Sequence, residues 1–151
     1  MKNTITLKLL ILSLFTFLSL QGITQAWEYM EPMPTARALT TASELDGKIY
    51  VIGGTFSKTS PATAVVEVYD PITNTWDTTA PDLPVPLCGA SSCVVDGKIY
   101  VIGGRTAYNG PPVQSVYFYD PISDSWESKN DISSPRSWLT TSVLNDNIYA
   151  M

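Results

Sequence analysis

One stretch of nine residues constrains this chain more than any other feature. Asp46-Gly47-Lys48-Ile49-Tyr50-Val51-Ile52-Gly53-Gly54 recurs unchanged from Asp96 to Gly104, and Tyr69-Asp70-Pro71-Ile72 recurs as Tyr119-Asp120-Pro121-Ile122, each 50 residues on. Trp76 recurs as Trp126 at the same offset; Trp27 lies 49 residues before Trp76, and Arg37 lies 99 before Arg136. A third copy opens at Asn145-Asp146-Asn147-Ile148-Tyr149-Ala150-Met151. Self-similarity at a period of 20–50 residues means that like structural units stack against one another.

The residues of each unit are of β type. Ile49 to Ile52 form a short, nearly continuous apolar run, as a strand covered on both faces should. Val66, Val68 and Phe118 lie in runs rich in Val and Tyr, consistent with the next strand. Asp70-Pro71 punctuates it, because Pro cannot donate to a ladder and suits a turn. Thr75 to Thr78 reads as a third strand and Ala90 to Val95 as a fourth. No stretch of residues 27–151 carries a helical period. Four short strands in about 50 residues predict an all-β chain made of propeller blades.

Gly53-Gly54 and Gly103-Gly104, Tyr69 and Tyr119 each followed by Trp76 or Trp126, and Arg37 and Arg136 together resemble the kelch-repeat family, over essentially all of residues 27–151. One departure is Leu87, where the other two copies have arginine. The resemblance implies that Gly-Gly ends the innermost strand of a blade, and that the tyrosine and tryptophan pack between neighbouring blades. It further implies that the Asp-Gly turn joins the outermost strand of one blade to the innermost of the next, although Asp-Gly between apolar runs would ordinarily predict a hairpin. The expected layout is two complete four-stranded blades, at about 48–95 and 98–145, with partial blades at 27–46 and 147–151. Propellers hold about four to eight blades, so the expectation is a truncated propeller whose unpaired edges favour self-association.

Residues 1–26 read separately. Lys2 and Lys8 precede an apolar run from Leu9 to Leu20, and the segment ends in Thr24-Gln25-Ala26. That is the layout of a secretory signal peptide cut after Ala26; the alternative, a retained anchor, is disfavoured because a span needs about 20 apolar residues. Secretion, to an extracellular or periplasmic location, is therefore expected. The whole chain carries net charge −5; losing Lys2 and Lys8 leaves seven basic residues against fourteen acidic ones, or −7. Such a chain repels phosphate backbones, which argues against nucleic-acid binding, and after cleavage no membrane association is expected. Cys88 and Cys93 are five apart in a predicted strand, too far for a disulfide, so both are expected as buried thiols. With no His anywhere, neither metal nor cofactor is expected.

Asp46, Asp70, Asp96 and Asp120 recur at turn positions and read as scaffold, as do Gly53, Gly54, Gly103, Gly104, Tyr69, Trp76, Tyr119 and Trp126; Trp27 reads as core. Recognition is expected where the copies differ, in the loops Thr55 to Thr63 and Arg105 to Pro112, and in Trp138, which stands where the other copies have Leu39 and Gly89. The binding candidates are Arg37, Thr55, Phe56, Lys58, Arg105, Tyr108, Asn109, Arg136 and Trp138, with no catalytic residue among them. The expected function is a non-enzymatic binding module that presents this rim to a protein or glycan. The alternative is a fragment of an exported kelch-type enzyme such as a sialic-acid (N-acetylneuraminate) mutarotase.

Overall fold

A computed structural model describes residues 27–151, so the expected signal peptide lies outside the described residues. Ten strands form three antiparallel sheets, and no helix occurs among the described residues. The first sheet holds β1 (Thr41–Leu45), β2 (Lys48–Ile52), β3 (Val66–Asp70) and β4 (Thr75–Asp77) in that order. The second holds β5 (Ser91–Val95), β6 (Lys98–Ile102), β7 (Val116–Asp120) and β8 (Ser125–Lys129), and the third pairs β9 (Thr141–Leu144) with β10 (Asn147–Ala150). The two complete four-stranded blades expected from the repeat are present.

Their boundaries differ from the expected 48–95 and 98–145. Leu45 pairs with Lys48, so Asp46-Gly47 is a two-residue hairpin inside one sheet. Both turn residues have positive φ, 52° and 77°, as do Asp96 and Gly97 at 50° and 68°. This is a type I′ turn, whose twist matches the flanking strands. The local chemistry of Asp-Gly therefore prevails over the inter-blade link, and the predicted fourth strand is the first strand of the following blade. Residues 27–46 are accordingly not a partial blade that precedes the first complete one. Residues 27–40 form an irregular connector and 41–45 form β1.

Strands β1, β5 and β9 lie side by side, and their hydroxyls close the seams: Thr41 Oγ1 and Ser43 Oγ each lie 2.7 Å from Ser92 Oγ, and Ser91 Oγ lies 2.9 Å from Thr141 Oγ1. These are the inner strands, so Gly-Gly ends the second strand of a blade. Between the sheets, Leu45, Ile52, Val66, Val68, Leu83, Leu87, Ile99, Val101 and Tyr119 form the core.

The recurring aromatics act first within a blade. Tyr69 faces Trp76 and Tyr119 faces Trp126 across adjacent strands, at 5.0 and 5.4 Å between ring centroids. Tyr119 also reaches Tyr50 of the first blade at 5.5 Å. Each tryptophan ties down a connector: Trp76 Nε1 donates to Glu31 O and Trp126 Nε1 to Pro81 O, both at 2.8 Å. A connector thus straps the blade that follows it. Trp27, expected in the core, is instead fully exposed at 101 %. Its ring meets no tyrosine partner of the kind that holds Trp76 and Trp126.

The turn aspartates are scaffold. Asp70 Oδ1 accepts from the Ile72 and Thr73 amides, and Asp120 Oδ1 from Ile122. The Tyr69 and Tyr119 hydroxyls donate to Asn74 and Asp124, both in left-handed backbone. Burial, then the Asp124 carboxylate, pushes the Tyr119 hydroxyl far above its ordinary pKa. Both cysteines are unpaired; Cys88 is buried as expected, whereas Cys93 on β5 is only partly so. Burial raises both thiols, which leaves them mostly protonated and unreactive near neutrality.

Candidate functional site

Antiparallel strands put the β2–β3 and β6–β7 loops on the same rim as the inner ends of the connectors. Isolated backbone bridges knit that rim together. Ala38 pairs with Thr55, Cys88 with Arg105, Val113 with Arg136, and Pro61 of one blade with Ala107 of the next. The Asp-Gly and Asp-Pro turns occupy the opposite rim.

Gly-Gly is the hinge of this arrangement. Gly53 and Gly103 have φ of 62° and 64°, and a Cβ on them would stand 2.3 Å from Leu87 O and 2.5 Å from Arg136 O. The Gly54 and Gly104 amides donate to those same carbonyls at 2.8 Å. Only glycine lets the next connector come this close in left-handed backbone.

Arg37, predicted to bind, does not face the solvent. Its side chain is completely buried and paired with the buried Glu67. Its Nε donates to Gly53 O at 2.8 Å, Nη2 to Val51 O at 3.0 Å and Nη1 to Thr35 O at 3.2 Å, and Thr35 Oγ1 holds the other Glu67 oxygen at 2.5 Å. A charge buried this deeply must be paired, and here it clamps the connector to the end of β2. Sequence reasoning missed Glu67, although its signal was present. The second copy replaces both partners together, with Leu87 for Arg37 and Tyr117 for Glu67. Leu87 is buried, and Tyr117 packs against the same core.

Thr55 is also buried. Its hydroxyl contacts the Ser57, Ser60 and Pro61 carbonyls and so closes its own loop. Phe56, Lys58, Asn109 and Arg136 are exposed, and among the described residues no hydrogen bond or ion pair joins their side chains into one site.

Arg105, Tyr108 and Trp138 do come together. Arg105 occupies the position of Thr55 and repeats its task, since Nη1 donates to Gly110 O at 3.0 Å. Its Nε donates to Ser137 Oγ at 2.7 Å, and the guanidinium lies 6.0 Å from the Trp138 ring centroid. Tyr108 meets Trp138 edge-on at 6.2 Å. Trp138 packs across the blade boundary over Gly89, where a Cβ would sit 3.5 Å from the ring, yet it remains 52 % exposed. Leu39, Gly89 and Trp138 all have φ close to 60°, and amide-to-carbonyl bonds of 2.9 and 2.8 Å chain them along the rim. Left-handed backbone suits glycine and costs a bulky residue about 1–2 kcal/mol, so the tryptophan is held there by its surroundings. Among the described residues no group of His, Cys, Asp and Glu could hold a metal ion.

Comparisons with known proteins agree with this architecture. The chain is 34 % identical to mouse Kelch-like protein 41 over 73 residues, covering 48 % of this chain and 12 % of that one. It is 46 % identical to the Arabidopsis thaliana F-box/kelch-repeat protein At4g39580 over 56 residues, covering 37 % of this chain and 14 % of that one. The alignments thus span less than a fifth of the length of these relatives. The solved structure of YjhT matches with a TM-score of 0.75 at 18 % identity, over 87 % of this chain and 48 % of that chain, and so shares the fold. The family model described as the KLHDC2/KLHL20/DRC7 Kelch-repeats domain matches residues 9–151, and with its Gly-Gly hinges, tyrosine–tryptophan pairs and four-stranded blades, this chain belongs to the kelch-repeat family.

Proposed function

We propose that this chain is an exported, non-enzymatic binding module that takes up a protein partner on the rim formed by the β2–β3 and β6–β7 loops and the connector ends. The observation that carries this reading is the meeting of two departures from the repeat. Arg105 replaces Thr55 and Trp138 replaces Leu39 or Gly89, and these two substituted side chains lie against each other on the solvent side of the rim. Neither change is needed to close a blade, because the other copy does without both. Arginine, tryptophan and tyrosine are the residues that most often anchor protein interfaces, and variable loops on a rigid scaffold are the usual place for recognition. Export rests on residues 1–26 and is tested by the mass of the mature N-terminus, which should begin at Trp27.

The binding role is tested by selecting displayed peptides on the full chain and titrating the enriched ones against variants. Trp138→Ala should weaken them at least about tenfold, while Ile72→Ala, on the opposite rim, should leave them unchanged. Peptides that bind Trp138→Ala as well as wild type would move the site elsewhere.

A further inference from the structure

The two rims carry opposite charge, in a way the net value conceals. Residues 32–43, 53–66, 83–95, 103–119 and 132–145 contain no Asp or Glu. These segments include both variable loops and the inner ends of all three connectors. The exposed or half-exposed cations among them are Lys58, Arg105 and Arg136; Arg37 is buried and neutralised by Glu67. The opposite rim carries Asp46, Asp70, Asp96, Asp120, Asp124 and Asp146 in its turns. A chain of net charge −5 therefore presents loops and inner connector ends that carry no carboxylate of their own, with Arg105 beside Trp138; the carboxylates that reach these segments, Asp82 and Asp131, are held by the Val66 amide and the Gln114 side chain.

Resting on the binding role proposed above, we infer that the partner is an acidic protein segment, one of whose carboxylates docks on Arg105 while a neighbouring side chain covers Trp138. Arginine has five N–H donors. Arg105 uses one on Ser137 Oγ and one on Gly110 O, which leaves three N–H donors without an acceptor among the described residues. Thr55, at the same position in the first blade, spends its single donor closing its own loop. The substitution of arginine thus keeps the loop-closing bond and adds donors for something else. Both tethers, with the tryptophan beside them, fix the planar guanidinium before any ligand arrives. That lowers the ordering cost of a two-point bond to a carboxylate. The aromatic neighbours favour a protein segment over a polysaccharide, because a cluster of Trp, Tyr and Arg is the composition of an interface hot spot. No carboxylate in the loop itself, 103–119, or in the connector end that carries Trp138, 132–145, opposes an incoming acid, which lessens the repulsion that the rest of this acidic surface would impose.

The test uses the full chain and follows tryptophan fluorescence on titration with poly-L-glutamate, poly-L-lysine and polygalacturonate at low salt. Poly-L-glutamate should bind and perturb the fluorescence, with no such change in Trp138→Phe. Arg105→Ala should weaken it at least about tenfold, and Arg105→Lys should restore only part, since an ammonium cannot make the two-point bond. Lys48→Ala on the opposite rim should stay within twofold, and raising salt from about 50 to 300 mM should weaken binding. No binding of poly-L-glutamate, or binding indifferent to Arg105→Ala, would overturn the inference. Equal or tighter binding of polygalacturonate would reassign the site to an anionic polysaccharide. Non-acidic peptides that still require Trp138 would leave the rim as the binding face and remove only its preference for acid.

Discussion

The two complete blades are built from closely similar sequence, yet they fasten their connectors by opposite means. The first uses a buried ion pair, Arg37 with Glu67, satisfied by the Gly53, Val51 and Thr35 carbonyls. The second uses Leu87, with Tyr117 against the same apolar core. A buried ion pair and a well-packed apolar pair can be close in net stability, because desolvation offsets most of the Coulombic gain. What cannot be tolerated is half of either. The loops show a parallel contrast: Thr55 closes one loop with nothing to spare, and Arg105 closes the other with donors left over.

The sharpest way to break the first contrast is to remove one partner. Glu67→Ala should cost about 3–5 kcal/mol, because it leaves the Arg37 guanidinium buried and uncompensated. In Arg37→Leu/Glu67→Tyr, which transplants the second blade's pair, most of that loss should be recovered; denaturant titration of the three chains measures both. A double variant no more stable than Glu67→Ala would show that the two fastenings are not interchangeable.

Where the blades agree, substitutions should agree. Gly53→Ala and Gly103→Ala should each cost about 2–3 kcal/mol, from left-handed strain and the clash with Leu87 O or Arg136 O. Unequal losses in thermal unfolding would mean that one connector yields where the other does not.

The smallest effect concerns an ion pair found in one blade only. Lys98 bridges Asp120 at 2.7 Å, and among the described residues Lys48 and Asp70 form no such pair. Lys98, then the Ile122 amide, holds the Asp120 carboxyl below its usual value. A depressed carboxylate contributes stability above the unfolded pKa of about 3.9 that is lost as pH falls through the folded value. Wild type should therefore lose more stability than Asp120→Asn on going from pH 5 to pH 2. Identical acid limbs for the two chains would remove the pair from the comparison.

Much of the fold was legible because it is local. Asp46-Gly47 dictates a hairpin through its two positive φ values, and the one misreading of strand grouping came from setting that local signal aside. The loop rim was legible from the mismatch between copies, and Arg105, Tyr108 and Trp138 were each singled out in sequence. Arg37 and Thr55 were misassigned because exposure is not a property of residue type. Both turn inward to partners 30 and 6 residues away, Glu67 and Pro61.

By itself, the sequence determined the strands, their turns, the repeat and the places where it is broken, since each depends on residues within a few positions of one another. Tertiary structure alone decided what each copy of the same residue does. Lys-Ile-Tyr-Val-Ile is identical in β2 and β6, yet Ile49 is 38 % exposed and Ile99 is 0 % exposed. The same division placed Arg105 beside Trp138, 33 residues on, where no periodicity would have paired them. Backbone conformation follows from neighbours in the chain, whereas burial and the convergence of side chains follow from neighbours in space, and those are supplied only when one blade packs against the next.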